Sequence, residues 1–122
     1  MTEDAYQTIV NHTIRWVEYT QKVKVTVNNL LKAGRGYFLE KRIEMPKWIE
    51  RYDINYRIYY VIHELTHCIV GIEHDDDFKK VEDILLSLWD IRIERKSIYP
   101  RKLFCNNKEI LNIPYKVNKK GG

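Results

Sequence analysis

The chain is poor in cysteine, proline and glycine, with two, three and five among its 122 residues. The two cysteines, Cys68 among apolar neighbours and Cys105 in a quite different setting, do not make a disulfide framework. No internal repeat or low-complexity segment is present. No uncharged apolar run approaches the ~20 residues that a membrane helix needs. The start, MTEDAYQT, is acidic and polar, unlike a secretory signal. A soluble, cytoplasmic protein that does not enter a membrane is expected. With 44% hydrophobic residues, the length supports one core, so residues 1–122 read as a single domain.

Residues 2–19 carry apolar side chains at Ala5, Tyr6, Ile9, Val10, Ile14 and Val17, the spacing of a helix buried along one face, with Thr2 and Asp4 suited to its start. Val23, Val25 and Val27 then alternate as in a short strand. "AGRG", residues 33–36, reads as a turn, and Arg42 to Met45 as a strand stopped by Pro46, which suits a sheet edge. "KWIERYD" is a helical turn, after which Asp53 or Asn55 caps a helix over 56–70. Gly71 ends that helix in a left-handed cap. The acidic "HDDDF" opens a second helix, with Phe78, Val81, Ile84, Leu85, Leu88 and Ile91 inward, that runs to about Asp90. Extended chain follows in "IRIERKSIYP", and "KLFCNNKEIL" reads as a hairpin with Asn106 and Asn107 in the turn. "KVNKKGG" carries no pattern and reads as a mobile end. Residues 1–91 thus form a scaffold, and 92–122 a C-terminal segment.

"VIHELTHCIVGIEHDDDF", residues 61–78, holds three of the four histidines. Side chains four apart on a helix stand one turn above the other, so His63 and His67 can aim both imidazoles at one point, at the ~2.0–2.1 Å that zinc requires. Glu64 projects beside that point, where a general base for activated water belongs. A third ligand is needed. His74, at the chain reversal after Gly71, is favoured on ligand preference and position. Glu82 on the following helix is the strongest competitor, ahead of Glu73, the Asp75–Asp77 run and His12. A shuffled chain of this composition would contain H-E-x-x-H roughly one time in a hundred, and the helical context lowers that risk further. Tyr59, Tyr60, Tyr99 and Tyr115 are candidates for an additional donor to the developing oxyanion.

With these residues in view, "YYVIHELTHCIVGIEHDDDFKKVEDILLSLW", preceded by "IEMPKW", resembles the catalytic core of the zincin metallopeptidases. It looks most like the minigluzincins and the related SprT-like and YgjP-like domains. The likeness spans about residues 42–91, and its specific part is the three histidines, Glu64 and Phe78. The resemblance implies a zinc peptidase with His63, His67 and His74 as metal ligands, Glu64 as general base and a peptide or protein substrate. It implies an α+β zincin-like fold. In that fold an N-terminal helix backs a small, twisted, mostly antiparallel sheet whose edge strand, here Arg42 to Met45, pairs with an extended substrate. It further implies a zymogen whose C-terminal segment covers the cleft, within a monomer or by exchange in a dimer. The third histidine lies seven residues after the second, and no methionine follows as a metzincin Met-turn would demand.

Two other readings stand beside this one. The formal charge of +4 concentrates in the C-terminal part, at Lys96, Arg101, Lys102, Lys108, Lys116, Lys119 and Lys120. That favours slightly a DNA-associated protease of SprT-like kind, although aromatic and basic residues do not interleave as in nucleic-acid binders. A metal-stabilised interaction domain without catalysis would leave Glu64 unexplained.

Overall fold

The structure is a computed structural model, described over residues 1–96 and 99–114. Helix α1 (Glu3–Trp16) begins where the Thr2 hydroxyl accepts the Ala5 N–H at 3.2 Å. It stops short of Tyr19 because Glu18 turns left-handed at φ 57°. The Tyr19 N–H then reaches back to the Ile14 carbonyl and the Glu18 N–H to that of Arg15, the hydrogen bonding of a Schellman stop. The buried face of α1, with Tyr6, Ile9 and Val10, packs into the core.

Three strands follow: β1 (Lys24–Asn28), β2 (Arg35–Tyr37) and β3 (Arg42–Pro46). They form a mixed sheet in the order β1-β3-β2, with β1 parallel and β2 antiparallel to β3. The expectation that residues 42–45 form an edge strand is therefore overturned, since β3 is central. Pro46 is tolerated there because it is the last strand residue, passing directly into a 3-10 turn at Lys47–Arg51. The sheet edges are β1 and β2. On β1 the Val25 and Val27 amides donate to the Gln7 and Glu3 side chains of α1, both at 2.8 Å, so the backing helix covers that edge. On the other side, the "AGRG" turn is in fact the entry to β2. Three residues with a central glycine carry no alternating pattern, but Gly36 pairs with Ile43 and sits against the next helix.

Helix α2 (Ile54–Val70) is capped by Asp53, which accepts the Asn55 N–H at 2.8 Å. Gly71 ends it at φ 133°, ψ −172°, beyond the left-handed helical region and in a conformation essentially restricted to glycine. Helix α3 (Asp76–Ser87) is capped by Asp75, with Asp76 and Asp77 in its first turn, where carboxylates oppose the positive end of the helix dipole. It ends before Asp90, whose φ of 58° turns the chain into β4 (Ile91–Lys96). The strands β4, β5 (Tyr99–Cys105) and β6 (Lys108–Glu109) form a second, antiparallel sheet. Asn106 and Asn107, at φ 51° and 65°, make the β5–β6 turn as the sequence led one to expect. The α+β class is as anticipated, with its strands shared between two small sheets. Ile43, Met45, Ile62, Leu65, Leu103 and Ile113 meet in one core between them. No described helix is long and apolar enough to cross a membrane. Ser97, Ile98 and 115–122, including Tyr115 and the "KVNKKGG" end, lie outside the described residues.

Candidate metal centre

The site rests on α2, whose apolar back (Val61, Ile62, Leu65, Cys68) is buried in the core. That anchoring fixes the opposite face, on which His63, Glu64 and His67 open into a cavity of about 330 Å³ also lined by His74. The reversal at Gly71 returns His74 to the pair. Its Nε2 lies 3.4 Å from that of His63, and ligand atoms of His63, His67 and His74 all lie within 4.8 Å of one another. Two nitrogens bonded to one tetrahedral zinc at ~2.0–2.1 Å stand about 3.4 Å apart, the separation of the His63 and His74 nitrogens, and three neutral imidazole donors suit that ion in kind. Phe78 is the common floor, with ring centroids 5.2, 4.6 and 4.8 Å from those of His63, His67 and His74.

Hydrogen bonds on the far side of two rings decide which nitrogen faces the cavity. His67 Nδ1–H donates to the Gly71 carbonyl at 2.9 Å. His63 Nδ1–H donates to Glu82 at 2.6 Å. Both rings therefore turn Nε2 toward the shared point, an arrangement that orients metal-binding imidazoles and raises their basicity. Glu82, only 1% exposed, also accepts from Arg95 of β4 at 2.8 Å, and Arg95 pairs in addition with Asp83 at 2.8 Å. Glu82 thus bonds His63 and Arg95 and is not one of the three residues whose donor atoms converge, although the sequence made it the nearest rival of His74. His12 lies on α1 beside Arg15, Asp75 is the α3 cap, and Cys105 lies in β5; none joins the histidine group. Arg95 was not singled out in the sequence. Its signal was there: period two places it on the same strand face as Ile91 and Ile93, and an inward charge demands a partner.

The electrostatics follow from burial. Glu64 is pushed up to about 7, chiefly by burial and in part by Glu82, against the pull of His63 and of the Gly36 amide. Burial lowers His67 to about 4, opposed by its bond to the Gly71 carbonyl, and also lowers His74. For His63 burial acts downward, but the Glu82 hydrogen bond and the neighbouring carboxylates outweigh it and the net shift is up. Glu82 moves down because His63 and Arg95 outweigh its burial. Burial thus favours the neutral form of His67 and His74 and brings the Glu64 carboxyl near neutrality, where a carboxyl can take and return a proton.

Comparison with known proteins shows that the fold is shared with a solved structure. The chain is similar to the metallopeptidase zymogen abylysin of Pyrococcus abyssi in its crystal structure, with a TM-score of 0.56 at 21% identity over 64% of this chain and 76% of that one. That likeness is one of fold. No family model matches the chain, and no curated protein does. Tyr59, Tyr60 and Tyr99 all line the cavity, and the Tyr60 hydroxyl accepts the Gly34 N–H at 2.9 Å.

Proposed function

We propose that this chain is a zinc-dependent metallopeptidase in which Glu64 is the general base. The observation that carries the reading is the convergence of three imidazoles with a buried carboxyl on the same cavity. His63, His67 and His74 would hold the ion, which when bound supplies Lewis acidity toward water and the scissile carbonyl. Glu64 takes a proton from the attacking water and delivers it to the leaving amine, a task suited to a carboxyl raised toward neutrality. The peptide pairs in extended form with β2, the sheet edge beside α2, rather than with Arg42 to Met45.

Latency belongs to the same proposal. Tyr99, from the C-terminal segment, lines the cavity together with the histidines, and the structural neighbour is itself a zymogen. Strand β5 thus holds part of the cleft that a substrate would enter.

Metal analysis beside peptide cleavage tests the reading. Zinc at one ion per chain is expected in both the native protein and Glu64→Gln, with cleavage falling by ~10²–10⁴-fold in the variant. Full activity in Glu64→Gln would overturn it.

A further inference from the structure

The cavity that holds the histidines continues along α2 toward its N-terminus, and its character changes there. Tyr56, Tyr59 and Tyr60 line it one to two turns before His63, joined by Trp48 from the 3-10 turn. Positions 56, 59/60, 63 and 67 share one helix face, so the result is one trough, imidazole and carboxylate at one end and aromatic at the other.

The aromatic end is built rather than loosely filled. The Trp48 indole N–H donates to the Lys32 carbonyl at 2.8 Å, and the Tyr60 hydroxyl accepts the Gly34 N–H at 2.9 Å. These bonds engage the polar tip of each ring with the 32–34 backbone, and both rings line the cavity. Trp48 and Tyr60 meet edge to face, centroids 6.0 Å apart at 86°, and Tyr56 meets Tyr60 at 5.9 Å and 75°. Gly34 seals the far wall: a Cβ there would stand 2.6 Å from Tyr60 Cε1. No acidic residue other than Glu64 lines the trough among the described residues, so a cationic side chain has no carboxylate to pair with at that end. A flat apolar group fits, because rings at offset or edge-on angles gain more from another ring than from an aliphatic chain of equal area.

Resting on the peptidase reading, we propose that Trp48 and Tyr60 form a substrate subsite that selects peptides with an aromatic side chain beside the scissile bond. The two rings determine specificity by contact with that side chain, while the histidines and Glu64 serve any peptide.

Matched peptides differing at one position (Phe, Leu, Ala or Arg) test this on the zinc-loaded protein. The Phe peptide is expected to exceed the Ala peptide in kcat/KM by ~10-fold or more. Trp48→Ala should abolish that preference, mostly through KM, while zinc content holds. Trp48→Phe, which keeps a ring, should retain most of it. Should latency suppress turnover or Trp48→Ala fail to fold, the affinities of phenylalanine hydroxamate and alanine hydroxamate for the zinc-loaded native protein, measured by calorimetry, read the same contact. Equal hydroxamate affinities, or equal peptide rates in a protein whose cleavage disappears in Glu64→Gln, overturn the subsite and leave the peptidase standing. Absence of zinc binding, or cleavage indifferent to Glu64→Gln, overturns both.

Discussion

Glu82 is a buried carboxylate with two partners, His63 on one oxygen and Arg95 on the other. Its worth lies in fixing a ring, because a ligand imidazole that can spin or switch tautomer binds metal less well. Removing such a partner typically lowers metal affinity by ~10–100-fold. Glu82→Ala is therefore expected to weaken zinc binding by about that factor in competition with a chromophoric chelator, and His74→Ala by considerably more. The reverse order would make Glu82 the third ligand after all. The sequence showed the H-E-x-x-H pair because helical spacing alone brings it together. It ranked His74 above Glu82 on residue type and position, but it carried no sign that Glu82 would bond the far nitrogen of His63, because ligand preference knows residue types and not which nitrogen each carboxylate oxygen faces.

At the scale of elements, β2 and α2 are in closer contact than any side chain would permit. A Cβ on Gly36 would lie 2.2 Å from the Glu64 carbonyl oxygen and 3.0 Å from His67 Cβ. Gly36→Ala must push the strand off α2, at a cost of ~1–3 kcal/mol. A lower melting temperature is expected together with weaker peptide cleavage, since the displaced edge is the one proposed to pair with substrate. An unchanged melt would show that the strand yields freely. Helices α1, α2 and α3 were legible because their apolar spacing and capping residues agree; their last turns were misjudged where Glu18 and Asp90 take positive φ, and Ile84 and Leu88, expected inward, are exposed. The sheet was less legible. Strand β2 is too short and too rich in glycine to show a period, and the parallel pairing of β1 with β3 joins residues such as Val25 and Ile43 whose partnership leaves no local trace.

For the molecule as a whole, the C-terminal sheet is part of the core and also part of the cleft. Leu103 and Ile113 are fully buried beside Ile62 and Leu65, and Ile93 nearly so. Losing a single buried Leu or Ile side chain costs ~2–5 kcal/mol, against a total stability of ~5–15 kcal/mol for a domain. A chain ending at Arg95 is accordingly expected to lose its cooperative melt by circular dichroism, whatever its latency. If it melts as the full chain does, the segment is a detachable cover. Composition marked residues 92–122 as extended, but alternation within β4 and β5 says only that one face is apolar, not which core receives it.

The link from Arg95 through Glu82 to His63 also orders events in time. During synthesis the histidine pair emerges some thirty residues before Arg95, and Leu103 and Ile113 later still. A growing polypeptide therefore displays its imidazoles well before it can brace them, and Glu82 waits for its second partner until β4 has left the ribosome.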